Sequence, residues 1–491
     1  MYQSILHFIA NDVKEIEKII PTILGTDGDF SDLSREIFKH TDDLARRIIV
    51  EILQLLDEEI FKSLVRKRTW HVEHKDEKRE ILDVHGSISF SRRGYVPKDG
   101  GSNIYLLDEI IGLTGHQKVT LNAAAKMLEE AVTTSYEKGG QALECEEKVS
   151  RQTVKELVHA TEFYLPDEEP KEKKELKILH AVADEDHVSA QFWKEKGDLG
   201  VNGSGNKINT LMPKIIVLYE DVVDDAPEGS KKHRYRLVGK KTFCGIYKGE
   251  KNYDLWQEVQ DYIDTHYDTD VLERVYISGD GAAWIKAGTE IVIKSRFVLD
   301  KFHLMKYINT SVVHLENADE MKEYIWECVN GCHKKELRGA FDNILEVTES
   351  ENKYKEVEDA KKYLLNNWKG IEIRKEESSG IWKCCAEGQV SHVLSARLSS
   401  RPMGWSERGC DRMARFRAYK NNGGEIIDLL KYQHEKELKE EQREKRKELI
   451  EDIKKRQKDW KYQEALNAAI PGLDDPDLKW LKFIAHQLEA I

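Results

Sequence analysis

The spacing of hydrophobic residues changes along the chain and separates it into regions. Residues 1–64 carry apolar side chains at three- and four-residue intervals, most regularly over residues 33–64, which predicts helices suited to packing or oligomerisation. Between residues 70 and 96 apolar and polar positions alternate, which predicts a β-hairpin that turns at His85-Gly86. The basic pair Arg92-Arg93 follows, so the hairpin is either a structural ribbon or a surface that contacts DNA.

A helical period returns near residue 121 and predicts three pieces, at residues 121–136, 139–147 and 150–160. Ser150 is a natural N-cap for the last of them. The arrangement is similar to a helix-turn-helix, whose second helix places its N-terminal side chains in the major groove. A bundle that serves only for packing has the same pattern. The candidate DNA contacts at the start of the last helix are Arg151, Gln152, Thr153 and Lys155.

The stretch after a charged break at residues 166–174 predicts an α/β domain. Its apolar runs and amphipathic segments follow the order βββαβαβα. The predicted strands are residues 178–183, 212–223, 235–247, 271–278 and 296–299, and the predicted helices are residues 252–267, residues 282–287 and a segment after Asp300.

Acidic residues end two of these strands. Asp184 follows the first strand, Asp280 follows the fourth, and Glu387 lies on a predicted helix downstream. Such carboxylates can hold two divalent ions about 4 Å apart, which neutralise the charge that develops when a phosphodiester is cut or joined. Mg²⁺ prefers oxygen ligands. Asp186 is an alternative first ligand, but Asp184 is preferred because it directly follows the apolar run.

Two further segments bear on DNA binding. Residues 306–375 read as charged helices interrupted near residues 349–352, an insertion predicted to clamp DNA or a second subunit, or to act as a spacer. Residues 391–420 contain seven Arg or Lys and two acids, although the whole chain has a net charge of −13. This basic block is where a phosphate backbone would lie, unless it is a solvated face. The candidate DNA contacts within it are Arg397, Arg401 and Trp405.

Length and composition narrow the class of protein. At 491 residues the chain is too long for one compact core, so about two to four domains are expected. Its seven cysteines, an odd number at irregular spacing, predict reduced thiols. No apolar run approaches about 18 residues and the N-terminus lacks an export signal, so we expect a cytoplasmic protein that does not span a membrane. The absence of a phosphate-binding glycine loop predicts no nucleotide cofactor.

Four sequence blocks surround the acidic residues. They are Ala183-Asp184-Glu185-Asp186-His187-Val188, Ser278-Gly279-Asp280-Gly281-Ala282-Ala283-Trp284-Ile285, Asp300-Lys301-Phe302-His303 and Ala386-Glu387-Gly388-Gln389-Val390-Ser391-His392. These blocks resemble bacterial insertion-sequence transposases of the ISLre type, a family also filed as uncharacterised proteins. The resemblance implies a DDE-type transposase related to the Mutator-like group, with an RNase H-like catalytic domain. It also implies that Asp184, Asp280 and Glu387 hold Mg²⁺ or Mn²⁺, with two ions expected.

The third block carries a secondary signature of that group. Asp300 and His303 match its pattern of an acid or Cys, two residues, then His, and the resemblance implies that they support the catalytic site without ligating its metals. One segment departs from the family: Lys383-Cys384-Cys385 stands where small residues such as Gly-Ser-Ser are expected before Ala-Glu-Gly.

The sequence thus predicts a helical region at residues 1–69 and a hairpin with a helix-turn-helix-like DNA-binding region at 70–165. An RNase H-like catalytic domain follows at 175–303 and 381–420, with a helical insertion at 304–380 and a charged helical end at 421–491. The expected activity is metal-dependent strand cleavage and strand transfer. The expected partners are the element's terminal repeats, target DNA and further copies of the chain. The alternatives are a nuclease that does not join DNA and an inactive or domesticated DNA-binding protein.

Overall fold

The computed structural model describes residues 3–24, 29–143, 148–163, 169–192, 200–201, 209–231, 233–381, 386–401, 403–437 and 447–455. The chain folds into two units. One comprises residues 1–131, 135–157 and 430–491, and the other comprises residues 132–134 and 158–429.

Helices form the beginning of the first unit, as the spacing over residues 1–64 predicts. They are α1 (Gln3–His7), α2 (Val13–Glu17), α3 (Ile20–Leu24), α4 (Phe30–Lys62) and α5 (Leu64–Thr69). The long α4 begins at a capping box, because the Asp29 carboxylate accepts from the Asp32 N–H while the Asp32 carboxylate accepts from the Asp29 N–H. Asp12 accepts a hydrogen bond from Arg47 of α4 at 3.0 Å, which ties the short helices to the long one.

The predicted hairpin is confirmed. Strands β1 (Trp70–Asp83) and β2 (Gly86–Pro97) pair antiparallel and close at Asp83 and Gly86, so Val84 and His85 form a two-residue loop. Gly86 has a φ of +103°, a conformation that favours glycine.

The basic pair that follows the hairpin turn has partners inside the first unit. Arg92 is buried, forms an ion pair with Asp108 and lies 3.6 Å from the centre of the Tyr105 ring. Arg93 pairs with Asp57 at 2.7 Å. These contacts favour the structural interpretation of the hairpin, because both guanidinium groups already have partners within the fold.

The segment resembling a helix-turn-helix contains one predicted helix that is wrong. After α6 (Leu106–Ile111) the chain forms α7 (Leu121–Thr133), α8 (Tyr136–Gly139) and α9 (Arg151–Ala160). The expected helix over residues 139–147 ends at its first residue, residues 140–143 turn, and residues 144–147 lie outside the described part. A Cβ on Gly139 would lie 2.7 Å from the Met127 carbonyl oxygen, and one on Gly140 would collide with the Val149 carbonyl. The two glycines therefore allow a close approach of backbones, which ends the helix.

The second unit is built on a mixed sheet. Its strands are β3 (Ile178–Glu185), β4 (Val188–Ser189), β5 (Thr210–Leu211), β6 (Lys214–Tyr219), β7 (Asp221–Asp224), β8 (Tyr235–Val238), β9 (Lys241–Gly245), β10 (Arg274–Gly279) and β11 (Ser295–Leu299). Five of them form one sheet in the order β11-β10-β3-β6-β9. β3, β10 and β11 are parallel, whereas β6 is antiparallel to β3 and β9. The pairs β4–β5 and β7–β8 are separate antiparallel ribbons.

Two predicted strands are wrong as single strands. Residues 212–223 divide into β6 and β7, and residues 235–247 divide into β8 and β9. The breaks face each other at Glu220 and Gly239: Gly239 has a φ of +59°, and a Cβ there would collide with the Glu220 side chain. Glu220 accepts hydrogen bonds from Lys174 and from the Tyr267 hydroxyl at 2.9 Å. This kink turns the β7–β8 ribbon out of the sheet, which alternation of apolar residues alone does not reveal.

One face of the sheet is covered by α10 (Asn252–His266), α11 (Ala283–Lys286) and α12 (Gly288–Ile291). Alternate residues of the central strands pack there, because successive side chains of a strand point to opposite faces. The core on this face includes Leu179, Ala181 and Ala183 of β3, Val275 and Ile277 of β10, and Trp256, Val259 and Ile263 of α10.

The residues predicted as a helical insertion form five helices with a core of their own. They are α13 (Lys301–Val312), α14 (Ala318–Gly331), α15 (Lys334–Val347), α16 (Glu351–Asn366) and α17 (Trp368–Glu376). Residues 348–350 separate α15 from α16, where the sequence predicts an interruption. Helix α17 returns to the sheet and packs against β11. The buried residues of this core include Leu304, Ile325, Phe341, Leu364 and Trp368.

The last described helices are α18 (Ala386–Gln389), α19 (Ala396–Leu398), α20 (Glu407–Asn421) and α21 (Ile426–Glu437), with a π-helical turn at Val390–Ser395. Of the predicted charged end at residues 421–491, the structure describes α21 and a helical segment at 447–455; residues 438–446 and 456–491 lie outside it. None of the described helices is both long and apolar enough to cross a membrane. Cys244, Cys328, Cys332 and Cys410 are free thiols.

Candidate functional site

Three aspartates meet at one edge of the sheet in the second unit. Asp184 lies at the end of β3, Asp280 directly follows β10 and Asp300 directly follows β11. The strands run parallel, and in register Ser278 of β10 pairs with Val182 of β3 and with Val298 of β11. Two residues further on, the three aspartates therefore stand side by side. We call Asp184, Asp280 and Asp300 the acid cluster.

Two members of the acid cluster each commit one carboxylate oxygen to a nearby backbone N–H. Asp184 Oδ1 accepts from Glu185 at 2.8 Å, and Asp280 Oδ1 accepts from Ala282 at 2.8 Å. The Oδ2 atom of each has no hydrogen-bond partner among the described residues. One oxygen of each side chain is thus held in place, and the other is free to bind a cation.

The loop that carries Asp280 is held between β3 and the helical insertion. A Cβ on Gly279 would lie 2.8 Å from the Ala183 carbonyl oxygen. On the other side the Tyr363 hydroxyl of α16 donates to the Asp280 carbonyl oxygen at 2.5 Å, and Asn367 donates from Nδ2 to the Tyr363 carbonyl at 2.9 Å. The insertion therefore positions a residue of the acid cluster, a contact for which the sequence carries no signal because Tyr363 and Asp280 are far apart in the chain.

Gly281, in the same loop, lies very close to the Asn367 side chain. It has a φ of +87°, and a Cβ there would collide with the buried Asn367 amide. We expect Gly281→Ala to lower the free energy of unfolding in urea by at least about 1–2 kcal/mol, the cost of a left-handed alanine, plus the cost of displacing Asn367. Gly229→Ala is the matched control, since Gly229 has a φ of +81° and no atom within 4 Å of its would-be Cβ. Equal losses in the two variants would show that the Asn367 contact contributes nothing.

Burial and like charge act together on Asp184. Burial raises its pKa, and the negative charges of Asp280 and Asp300 raise it further, to about 6. The Glu185 N–H and His303 oppose this shift. A carboxylate whose ionised form is disfavoured by neighbouring acids is one that a cation would stabilise.

Asp300 has a different set of partners from the other two aspartates. Its Oδ1 accepts from the Phe302 N–H at 3.1 Å, which caps α13, and its Oδ2 accepts from His303 Nδ1 at 3.2 Å. The bond to Asp300 raises the pKa of His303, and the charges of Asp184 and Asp280 raise it further against the effect of burial. Both Asp300 oxygens are therefore occupied, an arrangement suited to supporting the site.

Asp186 has structural partners that Asp184 lacks. Its Oδ2 accepts from the Ser395 hydroxyl at 3.0 Å and from the Ser399 hydroxyl at 2.8 Å. These bonds tie the end of β3 to the segment that follows α18. The geometry thus favours Asp184 over Asp186 as a ligand, and the assignment stays a prediction.

Glu387 is not joined to the acid cluster by any hydrogen bond or ion pair among the described residues. It is exposed on α18, a helix that packs against β3. The unusual Lys383-Cys384-Cys385 lies outside the described residues. Within the described part of the chain no three His, Cys, Asp or Glu side chains are arranged to hold a metal ion. The structure therefore brings Asp184, Asp280, Asp300 and His303 together, while Glu387 as a third ligand stays a prediction.

The candidate DNA contacts of the helix-turn-helix-like segment lie at the start of α9. The Ser150 hydroxyl accepts from the Thr153 N–H at 3.2 Å, as expected of an N-cap. Arg151 and Gln152 are exposed, and Thr153 and Lys155 are half-buried. This exposure is compatible with DNA binding by the start of α9, which stays a prediction.

The candidate DNA contacts near α19 are less accessible. Arg397 and Trp405 are 5% and 6% exposed, and the Arg397 guanidinium lies 4.8 Å from the centre of the Trp405 ring. The Trp405 indole donates to the Leu398 carbonyl at 3.0 Å. Arg401 is exposed. Burial weighs against DNA contacts by Arg397 and Trp405 in this conformation.

Much of the predicted basic block serves internal packing. Arg417 of α20 donates to the Val393 carbonyl at 2.8 Å, Arg415 donates to the Tyr247 hydroxyl at 2.8 Å, and Arg408 donates to the His159 carbonyl at 2.8 Å. Helix α20 packs against β9. A count of charges along the sequence cannot separate arginines that bond within the fold from those that face a ligand.

The fold and the acid cluster define a mixed α/β protein with an acidic site at the ends of parallel strands. The profile of an uncharacterised protein family, UPF0236, matches residues 26–436. Two UPF0236 proteins of Caldanaerobacter subterraneus subsp. tengcongensis, named after several loci each, are 34% identical over 425 residues, which cover 87% of this chain and 85% of each relative. A UPF0236 protein in the vanSb 3′ region of Streptococcus gallolyticus is 23% identical over 414 residues, 82% of this chain and 86% of the relative. The chain belongs to the UPF0236 family, which has many paralogues in one genome.

Proposed function

We propose that the chain is a DDE-type transposase of the ISLre type with an RNase H-like catalytic domain. It cuts DNA at the ends of an insertion sequence and joins the released 3′ ends to target DNA. It acts on the terminal repeats and the target as a homo-oligomer in the cytoplasm, with divalent metal ions and without a nucleotide.

The observation that carries the proposal is the acid cluster. Three aspartates stand at matching positions at the ends of adjacent parallel strands, and burial with mutual repulsion raises the pKa of one of them to about 6. A structural ion-pair network would place a Lys or Arg beside such acids, whereas the cationic side chain that opposes the raised pKa of Asp184 is a histidine, His303. Rigid strand ends are also suitable places to hold metal ligands.

Strand order supports the choice of catalytic domain. Along the chain, the sheet receives three strands, then α10 and β10, then α11, α12 and β11, and then α13. This is the βββαβαβα order that the sequence predicts, once the β7–β8 ribbon is set apart from the sheet, and it supports an RNase H-like catalytic domain.

The donor atoms of the cluster fit hard divalent cations. Asp184 and Asp280 offer carboxylate Oδ2 atoms, and Glu387 is the proposed third ligand from α18. Bound Mg²⁺ or Mn²⁺ would lower the pKa of an attacking water or 3′ hydroxyl and neutralise charge on the phosphate. Asp300 fixes the orientation of His303 beside these acids, and the Tyr363 hydroxyl holds the Asp280 backbone.

The names of the relatives support a gene that moves within a genome. One Caldanaerobacter relative carries eleven locus tags of a single genome in its name, and another carries four. Repeated insertion of one gene at new sites would produce such a distribution. Strand transfer accounts for such copies directly, whereas a nuclease that only cuts DNA would depend on other enzymes to insert them.

Metal dependence and product structure test the proposal. The purified full-length protein is incubated with Mg²⁺ or Mn²⁺, a target plasmid and a labelled duplex that carries the flanks of its own gene. We expect cuts at the element ends and labelled DNA joined to the plasmid, both abolished by EDTA and restored by excess Mn²⁺. A duplex with scrambled ends is the control.

The other outcomes identify the alternatives. Cuts without joined product, at every metal concentration, would assign a nuclease. Binding of the flanks by folded protein without any cut would assign an inactive or domesticated DNA-binding protein.

A further inference from the structure

A basic cleft lies along the outer edge of the five-stranded sheet. β11 is one of the two edge strands of that sheet, and β9 is the other. A cavity of about 350 Å³ is lined by residues of β11, by Lys286 at the end of α11 and by the start of α17. The charged residues among its described lining are all basic: Lys286, Arg296 and Lys369. We call this cavity the edge cleft.

Two of the three cations are available to a ligand. The Lys286 ammonium group has no hydrogen bond among the described residues, and its Nζ lies 5.6 Å from the centre of the Phe297 ring. The Lys369 side chain is 77% exposed, and its Nζ lies 3.9 Å from Glu372, a surface pair that contributes little. Arg296 is paired with Glu377 at 2.5 Å. The two lysines therefore supply most of the positive field, in a chain whose net charge is −13.

The edge cleft is connected to the acid cluster. Asn367 lines the cleft and also lies against Gly281, the residue next to Asp280. Strand β11 leads from Ser295, in the cleft, to Asp300, a distance of about 17 Å at roughly 3.3 Å per residue. One DNA strand carries a phosphate for about every 3.4 Å of helix axis, so this distance corresponds to about five nucleotides.

We propose that the edge cleft binds the phosphate backbone of the DNA strand that is cut, about three to five nucleotides from the phosphate held at the acid cluster. This proposal rests on the proposed function and adds a DNA-binding surface to it. Contacts to phosphates position DNA without reading its sequence. The lysines of the cleft take the place of those arginines of the basic block that have partners within the fold.

The salt dependence of DNA binding measures phosphate contacts directly. Affinity for a labelled duplex with the gene's own flanks is measured by fluorescence anisotropy from about 50 to 200 mM KCl, for the full-length wild type and for Lys286→Gln/Lys369→Gln. Each lost contact reduces the slope of log K against log salt by about 0.9. We expect the double variant to lose between about 1 and 2 units of slope, equally for flanking and unrelated duplexes.

A matched variant distinguishes the loss of cleft contacts from the general effect of removing two positive charges. Lys334→Gln/Lys335→Gln removes the same charge from exposed residues at the start of α15, in the same unit. We expect its slope to equal that of the wild type. Duplexes that end fewer than about three nucleotides beyond the cut site should bind the wild type and the cleft variant alike, because they cannot reach the cleft.

Three outcomes would overturn the proposal. If the cleft variant keeps the wild-type slope while the wild type binds and cuts DNA, the cleft is not a phosphate site and the proposed function stands. If the wild type binds no duplex at any salt concentration, both proposals fail. If a free deoxynucleoside monophosphate binds as tightly as the duplex and depends on Lys286, the cleft is a mononucleotide site.

Discussion

Asp280→Asn is expected to reduce metal-dependent DNA cleavage by about a thousandfold or more. The variant keeps the size of the side chain and an oxygen that can accept from the Ala282 N–H, but it removes the charge that would bind a cation. Stabilisation of transition-state charge by metal ions contributes several kcal/mol, and each 1.4 kcal/mol corresponds to about tenfold in rate. Cleavage is measured in single-turnover reactions with the labelled flanking duplex in Mg²⁺.

A loss of cleavage is informative only if folding and DNA binding persist. Asp319→Asn is the control, since Asp319 is an exposed aspartate in the first turn of α14. We expect this variant to cut at the wild-type rate. The Asp280 variant should bind the duplex with near wild-type affinity, because most of that affinity comes from phosphate contacts elsewhere. Cleavage by the Asp280 variant within about threefold of wild type would exclude Asp280 as a metal ligand.

The positions of Asp184 and Asp280 at the ends of strands can be predicted from the sequence, for a physical reason. Asp280 follows a short apolar run that a buried parallel strand requires, and the glycines beside it indicate a tight turn. The same reasoning places Asp184 at the end of β3. Parallel pairing then brings the two residues together, because the carboxyl ends of parallel strands lie at one edge.

The sequence does not predict which partners the long side chains contact. Arg397 and Arg417 lie in a basic block, and nothing in their spacing indicates that one stacks on Trp405 and the other bonds to backbone carbonyls. Tyr363 lies on an ordinary amphipathic helix, yet it donates to the Asp280 carbonyl. Such partners are set by tertiary packing. For the same reason, the position of Glu387 relative to the acid cluster does not follow from its place on a helix.

The helical insertion makes contacts beyond those that the sequence suggests. Clamping DNA, binding a second subunit and acting as a spacer are its predicted tasks. In the structure, α16 and Asn367 fix the Asp280 loop, and α17 forms one wall of the edge cleft. The insertion therefore connects the positioning of an acid with the surface proposed to hold DNA, so changes in its core should affect both.

Asp184→Asn is expected to stabilise the metal-free protein at about pH 8 by up to about 3 kcal/mol. In the folded state the pKa of Asp184 is raised from 3.8 to about 6, so folded protein binds more protons than unfolded protein in this interval. Its contribution to stability is present below about pH 4 and is lost as the pH rises through about 6. Each pKa unit corresponds to about 1.4 kcal/mol. The variant removes the ionised group, so its advantage should fall to about half, roughly 1.6 kcal/mol, at about pH 5. Urea denaturation at the two pH values measures the difference.

Metal ions should offset most of the stability advantage of the Asp184 variant. Excess Mg²⁺ at about pH 8 should stabilise the wild type, by about 2.7 kcal/mol at a hundred times the dissociation constant, and should affect the Asp184 variant much less. Asp186→Asn is the matched control: it weakens the bonds from Ser395 and Ser399 and should destabilise the protein by about 1–3 kcal/mol at either pH. If instead Asp184→Asn destabilises the metal-free protein at both pH values and Asp186→Asn abolishes the response to Mg²⁺, Asp186 is the ligand and the repulsion attributed to the acid cluster does not limit stability.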